Sequence, residues 1–217
     1  MGGGTRLDVD ARLEDYLLDL APVRRPRVCF LATPVGDQAE RIEAFYDAFR
    51  DRPCSPTHVE LFGTPERPGD AVAASDVVYV SGGNTANALA LWRLHGIDAA
   101  LREAWERGAV LAGWSAGGIC WFEDAPTDSF GPLRRLRDGL GFLRGSFCPH
   151  YDSEPERRDA FVRLVADGMP AGYAADDDCG LLFEDRDLRD VVAQREGARA
   201  YRVTAEGEQP LEARLLA

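Results

Sequence analysis

Two glycine-bearing segments decide the fold of this chain: VVYVSGGNTANAL (residues 77–89) and VLAGWSAGGICWFE (residues 110–123). Each begins with an apolar run typical of a buried strand and then reaches glycines where a helix is predicted to start, the second at AGGICWF. Strand, tight turn and helix together form the repeating unit of a parallel α/β sheet. In such sheets ligands bind at the carboxyl ends of the strands. We therefore expect both turns to lie at one functional sheet edge.

The rest of the chain continues the alternation of strands and helices. Strand-like apolar runs occupy further segments at 27–33, 57–62, 140–150, 171–178, 180–184 and 189–196. Helical periodicity occupies segments at 36–49, 84–96, 96–108 and 155–168. A polar loop is predicted at 123–139 and an extended hairpin at 197–217. We expect a three-layer α/β/α sandwich with a mostly parallel central sheet and a C-terminal hairpin, and residues 1–217 as one domain.

The composition of the chain argues against nucleic-acid binding and membrane association. The 217 residues are 45% hydrophobic and 29% charged, with a net charge of −12, and no basic stripe suited to nucleic acid is visible. No apolar run approaches the roughly 18–20 residues of a membrane helix, and the N-terminus has no apolar core of a signal peptide. We expect a cytoplasmic protein that binds neither nucleic acid nor membranes.

Cysteine and histidine usage argues against a metal centre. The five cysteines are odd in number, scattered and without a C-x-x-C pair, which suits reduced thiols better than disulfides or a zinc site. The chain has three histidines, so a histidine-rich site is nearly excluded. We expect no metal and no cofactor.

Ser115 lies between Gly113 and Gly117 in a G-x-S-x-G pattern. A strand-turn-helix elbow exposes a serine Oγ, and the N–H of the next residue, Ala116, then lies at a helix N-terminus, where it can stabilise an oxyanion. The pattern alone also occurs by chance, in which case Ser115 is a small residue where a strand and a helix crowd together.

The SGGNT segment offers the complementary half of such a site. Gly82 and Gly83 follow a strand and can turn their backbone N–H groups toward the same oxyanion. The simpler interpretation is a strand-to-helix turn in which Asn84 caps the helix.

A serine nucleophile needs a base, and His150 is the best of the three histidines. His58 opens a strand, and His95 ends a helix before Gly96, where histidine serves as a C-terminal cap. His150 follows an apolar strand at the predicted functional edge.

Two regions can supply the carboxylate that orients the base. The α/β-hydrolase order, serine then acid then histidine, points to Asp128. The order serine, histidine, acid points to the run Asp176–Asp178, predicted to end a strand. Side chains alternate between the two faces of a strand, so Asp177 would point to one face and Asp176 and Asp178 to the other. Only the side chains on one of these faces can face His150.

Together these residues resemble the dipeptidase E (aspartyl dipeptidase) and cyanophycinase family of serine peptidases, within the class I glutamine-amidotransferase-like superfamily. The matching segments are SGGNTANAL, GWSAGGICWFE, CPHY and AADDDCGLL, in family order between about residues 27 and 185. The resemblance implies Ser115 as nucleophile, His150 as base and Asp177 as orienting acid. It also implies an oxyanion hole formed by Gly83 and Ala116.

The chain departs from the family pattern in three places. Ser81 replaces the first glycine of Gly-Gly-Gly-Asn-Thr, and Asp178 follows the acid where the family has glycine, which leaves Asp178 as a second candidate acid. Relatives also begin with an apolar strand before their first glycine turn, whereas this sequence starts at MGGG. We expect either that this strand is missing from the chain or that the sheet has one strand fewer.

The resemblance implies a serine peptidase acting on short peptides, with Asp-Xaa dipeptides as one candidate substrate. By this resemblance, Arg157 lies near the sequence position where the family carries a carboxylate-binding arginine. The alternative interpretation is that Arg157 and Arg158 are solvated helix residues. Asn84, Arg157 and Asp128 are the predicted substrate-binding residues, and we expect a monomer or homodimer. The alternatives are a cyanophycinase-like hydrolase of isopeptides or small amides and esters, or a non-catalytic binding protein.

Overall fold

The computed structural model describes residues 1–3 and 10–217. The chain divides into two compact units. The N-terminal unit is Arg6–Gly117, and the C-terminal unit is Gly118–Ala217 together with Met1–Thr5. The predicted α/β class is confirmed, and so is the C-terminal hairpin, described below.

The N-terminal unit contains a parallel sheet in the order β2-β1-β3-β4. Its strands are β1 (Arg27–Leu31), β2 (Ser55–Val59), β3 (Val77–Val80) and β4 (Val110–Gly113). Its helices are α1 (Arg12–Asp19), α2 (Ala39–Phe49), α3 (Pro68–Ala73), α4 (Thr85–His95) and α5 (Ile97–Glu106). All four residues of β3 are buried, as expected of a parallel strand covered on both faces.

An aromatic core holds this unit together. The Phe30 ring of β1 stacks on Phe45 of α2 with centroids 4.6 Å apart, and Phe49 packs on Phe45 at 4.8 Å. Helix α1, which the sequence analysis did not predict, buries Leu13 and Leu17.

The C-terminal unit contains a mixed sheet in the order β12-β11-β8-β7-β5-β6, with β5, β7 and β8 parallel. These strands are β5 (Phe122–Thr127), β6 (Arg134–Arg137), β7 (Leu143–Cys148), β8 (Gly172–Ala175), β11 (Ala200–Thr204) and β12 (Gly207–Leu211). A second sheet joins β9 (Cys179–Glu184), β10 (Asp187–Ala193) and β13 (Arg214–Leu215). Strands β11 and β12 pair antiparallel and form the predicted C-terminal hairpin.

Two local predictions were wrong. The helix predicted from AGGICWF is a single turn, α6 (Ala116–Ile119), because Phe122 already pairs with Leu143 in the sheet. The predicted loop at 123–139 contains the antiparallel strands β5 and β6. Its polar composition is misleading because Arg135 donates to the buried carboxylate of Asp124 across the two strands, at 2.9 Å.

The remaining helix, α7 (Pro155–Ala166), buries Phe161 and Val165 against the C-terminal sheet. Among the residues that the structure describes, no helix combines the length and apolar composition required to cross a membrane.

Candidate active site

In the N-terminal unit, Ser115 lies in a tight turn between the end of β4 and the start of α6. Its φ is +54°, a left-handed conformation that costs a non-glycine residue about 1–3 kcal/mol. The flanking glycines are required by space, since a Cβ on Gly113 would lie 2.7 Å from the Val80 carbonyl oxygen and one on Gly117 only 2.3 Å away. Such a strained, glycine-flanked turn has the backbone geometry of a nucleophile elbow.

The SGGNT turn lies beside this elbow in the same unit, because Val80 at the end of β3 pairs with Gly113 at the end of β4. A Cβ on Gly82 would meet the Trp114 indole nitrogen at 2.9 Å and the Ser115 Cβ at 3.3 Å. The two turns therefore share one sheet edge within the N-terminal unit, as the sequence predicts.

Gly83 and Asn84 are held by the segment that follows β1. Gly83 has φ +128°, and a Cβ there would lie 2.3 Å from the Pro34 carbonyl oxygen. The same carbonyl accepts the Asn84 N–H at 2.7 Å, and Asn84 Oδ1 caps α4 by accepting the Asn87 N–H at 2.9 Å. Gly83 is therefore fixed in a backbone conformation that glycine adopts readily and other residues do not.

In the C-terminal unit, the structure brings His150 and Asp177 together. His150 follows β7, Asp177 follows the parallel neighbour β8, and the His150 Nδ1 lies 2.8 Å from Asp177 Oδ1. Their side chains are 19% and 20% exposed. With Nδ1–H donating to the carboxylate, Nε2 is left as the basic nitrogen, which is the arrangement of a general base with its orienting acid.

The acidic run differs from its predicted placement. Strand β8 ends at Ala175, so Asp176–Asp178 form a turn and the predicted alternation along a strand does not apply. Asp178 has φ +64°, which reverses the chain into β9. Its carboxylate accepts from Gln194 and Arg195, while Asp176 accepts the Arg199 N–H.

Asp177 is held from both sides by residues that the sequence analysis missed. Its N–H donates to Asp152 at 2.9 Å, and its carbonyl accepts from Arg195 at 3.1 Å. Arg195 also pairs with Asp152 at 2.6 Å. Arg195 lies 45 residues after His150, and nothing in its surrounding sequence marks it as part of this network.

The electrostatics favour a charged Asp177. Burial acts to raise the pKa of Asp177, but hydrogen bonds from His150 and Ser153 and the charges of His150 and Arg195 outweigh it. The pKa of Asp177 is therefore below its ordinary value of 3.8. An ionised carboxylate holds the imidazole tautomer with its proton on Nδ1.

Arg157 is buried, so the prediction of a solvated helix residue is wrong for it. Its side chain is 4% exposed, and its Nε donates to Glu154. Its Nη2 lies 3.7 Å from Asp128 Oδ1, and its buried Nη1 has no hydrogen-bond partner among residues 1–3 and 10–217. Arg158 is 47% exposed and pairs with Glu208.

Asp128 lies on Arg157, and its side chain is 66% exposed. The structure shows no hydrogen bond between it and His150, whose Nδ1 bonds to Asp177. The other histidines lie in the N-terminal unit, where His58 is bonded to Tyr46 at 2.8 Å and His95 ends α4.

Comparisons with known proteins agree with this fold. A peptidase from an acI-B1 Actinobacterium superposes with a TM-score of 0.76 at 21% identity, covering 98% of this chain and 92% of that one. A putative peptidase E protein from Listeria monocytogenes EGD-e superposes with a TM-score of 0.56 at 16% identity, covering 92% and 93%. At these identities the likeness shows the fold alone.

Sequence similarity shows more than the fold. An uncharacterized peptidase of Bacillus subtilis (strain 168), YgaJ, is 48% identical over 207 residues, which cover 93% of this chain and 89% of the relative. The model of peptidase family S51 matches residues 1–191. These matches define the class of protein as a peptidase. The chain belongs to peptidase family S51.

Proposed function

We propose that this protein is a serine peptidase that cleaves short peptides, with Ser115 as nucleophile, His150 as base and Asp177 as orienting acid. The observation that carries the proposal is the 2.8 Å contact between His150 Nδ1 and the half-buried, ionised Asp177. The strained turn at Ser115 supports it independently. With Nδ1 bonded to the carboxylate, Nε2 is the ring nitrogen that accepts the proton of a hydroxyl nucleophile.

The chemistry follows from these roles. Ser115 Oγ attacks the scissile carbonyl carbon while its proton passes to His150 Nε2. The Gly83 and Ala116 N–H groups stabilise the oxyanion that forms, an effect of about 3–4 kcal/mol per donor. The C–N bond then breaks, and the imidazolium gives its proton to the departing amine. Water hydrolyses the resulting acyl-enzyme by the same steps in reverse.

Arg157 supports a preference for an acidic residue on the acyl side of the cleaved bond. A guanidinium buried in protein needs anionic partners, and its Nη1 has no partner within the described part of the chain. A substrate carboxylate that replaces the exposed Asp128 beside Nη2 would give this guanidinium a charge-assisted hydrogen bond. Asn84 is the further substrate contact we propose.

The proposal is tested by steady-state hydrolysis of matched peptides: Asp-Leu, Ala-Leu and the isopeptide β-Asp-Leu. Ser115→Ala and His150→Gln should each lower kcat by about 10⁴–10⁶. Ser55→Ala, an exposed serine in the same unit, and His95→Gln are the controls and should keep wild-type rates. Ser115→Ala with more than a tenth of the wild-type rate would refute the covalent mechanism. Faster cleavage of the isopeptide would favour a cyanophycinase-like substrate.

The cysteines support a role in the reducing cytoplasm. All five are buried thiols, and burial raises the pKa of Cys29, Cys148 and Cys179 to about 12. Thiols of this kind are unreactive and suit a reducing compartment. Alkylation of freshly lysed cells followed by mass spectrometry should find every cysteine reduced, and a disulfide-linked pair would contradict this assignment.

A further inference from the structure

The N-terminal segment Met1–Gly3 belongs to the C-terminal unit and lies against the His150–Asp177 pair. Three backbone hydrogen bonds hold it there. The Gly2 N–H donates to the Cys179 carbonyl at 2.8 Å, the His150 N–H donates to Gly2 at 3.3 Å, and the Asp178 N–H donates to Gly3 at 3.1 Å. The segment therefore connects the backbone at His150 with the turn that carries Asp177.

Gly3 makes the closest approach. A Cβ placed on it would lie 2.2 Å from His150 Cε1, 2.4 Å from His150 Nδ1 and 2.5 Å from Asp177 Oδ1. Real Cβ atoms essentially never come within 3.0 Å of a neighbour. One added methyl group would therefore overlap both ends of the hydrogen bond between the base and its acid.

The segment has little room to retreat from such a methyl group. On one side, a Cβ on Gly2 would lie 2.0 Å from the Asp176 carbonyl oxygen. On the other, the Met1 carbonyl lies 3.0 Å from where a Cβ on Gly118 would be. Because Gly2 and Gly3 are buried and held by backbone hydrogen bonds, we expect the imidazole and the carboxylate to move instead.

The geometry points to Gly3 as a positioning residue: its side-chain-free backbone sets the distance between His150 and Asp177 and covers their hydrogen bond on the Nδ1 side. The inference rests on the proposed role of His150 as base. Covering the bond excludes water, which strengthens it in the low local dielectric. Proton transfer from the nucleophile uses Nε2, the other ring nitrogen, so the segment orients the base without blocking it.

The decisive variant is Gly3→Ala, with Gly63→Ala as its matched control, because a Cβ on Gly63 has nothing within 4 Å. Any affinity tag is placed at the C-terminus, so that the segment is unaltered. Displacing the base from its acid by about an ångström should lower kcat about a hundredfold with little change in KM. Gly63→Ala should keep both constants.

The second readout is the low-field NMR signal of the His150 Nδ1 proton, which reports the hydrogen bond to Asp177, in a Ser115→Ala background. The chain has three histidines, so His58→Gln and His95→Gln identify the His150 signal. Gly3→Ala should lengthen this hydrogen bond, so the Nδ1 proton signal should move upfield or disappear through exchange with water, whereas Gly63→Ala should leave it unchanged. An unchanged signal in Gly3→Ala overturns the inference, even where kcat has fallen.

This NMR comparison separates the inference from the proposed function. If Ser115→Ala retains activity, the proposed function fails while the Nδ1 proton signal still decides the role of Gly3. Should Gly3→Ala not fold, the wild-type protein supplies the test, because the Gly3 α-protons should show a nuclear Overhauser contact with the His150 Cε1 proton. Absence of that contact overturns the inference.

Discussion

His150 Nδ1 lies 2.8 Å from Asp177 Oδ1. Asp177 belongs to the turn after β8, and β8 pairs with β7, the strand that His150 follows. Asp128, the candidate acid of the α/β-hydrolase order, lies instead 3.7 Å from Arg157. Sequence order alone favoured neither, and the hydrogen bond now distinguishes the two chemically.

The first prediction concerns this carboxylate. Asp177→Asn keeps the shape of the side chain but presents an amide that no longer fixes the catalytic tautomer, so kcat should fall about 10³–10⁴-fold. Asp128→Asn should lower it less than tenfold. Steady-state kinetics on one dipeptide check both variants, and a larger loss for Asp128→Asn would reassign the acid.

The second prediction concerns substrate charge. If Arg157 binds a substrate carboxylate, Arg157→Gln should raise KM for Asp-Leu roughly ten- to a hundredfold more than for Ala-Leu, since such a bond contributes about 1.5–3 kcal/mol. Arg163→Gln removes the same charge from an exposed position of α7 and is the control. Equal changes in KM for the two peptides would exclude a carboxylate contact.

The third prediction uses Asp176, whose side chain is buried. Burial, followed by repulsion from Asp152, raises the pKa of Asp176 from 3.8 to about 6 despite the hydrogen bond from the Arg199 N–H. Because the folded pKa is raised, the stabilising contribution is complete below about pH 4 and is lost as the pH rises through 6.

Asp176→Asn removes this ionisation and keeps an oxygen acceptor for Arg199. Its free energy of unfolding relative to wild type should therefore increase by about 2–3 kcal/mol between pH 4 and pH 7. Urea unfolding at a series of pH values measures this difference. A difference that does not depend on pH would contradict the assigned pKa of Asp176.

The fourth prediction concerns the β5–β6 pair. Asp124 is 6% exposed and bound by Arg135, so Asp124→Ala should leave a poorly compensated guanidinium and lower the free energy of unfolding by about 3 kcal/mol. Asp190→Ala breaks the more exposed pair with Arg214 and should cost less than about 1 kcal/mol. Equal costs for the two variants would show that the buried pair contributes no more than a surface pair.

The sequence predicted what depends on local pattern. Continuous apolar runs specified the strands that lead to Ser115 and His150, and the glycines specified the turns. It failed where a tertiary contact overrides composition. The β5–β6 segment reads as a loop until Arg135 neutralises Asp124. Helix α1 has its buried Leu13 and Leu17 one turn apart but spans only 8 residues, and α3 spans only 6, so neither is long enough to be recognised with certainty.

The residues of the candidate site divide in the same way, into those that local motifs predict and those that only the tertiary structure brings together. Ser115, His150 and Asp177 were chosen from motifs and family position, and their catalytic roles stay predictions. The prediction that residues 1–217 form a single domain also stays a prediction. The neighbours of Asp177 could not have been chosen that way. Asp152, Arg195 and Gly3 come from distant parts of the chain and meet only because of the fold around the turn after β8.

The most direct test of the central claim is the site of covalent modification by a fluorophosphonate. Peptide mapping by mass spectrometry should find the phosphonyl group on Ser115, with labelling abolished in Ser115→Ala and slowed at least a hundredfold in His150→Gln. Two controls are needed: Ser55→Ala should be labelled like the wild type, and Ser115→Ala should keep the wild-type melting temperature. An adduct on another residue, or full peptidase activity of Ser115→Ala, would contradict the account.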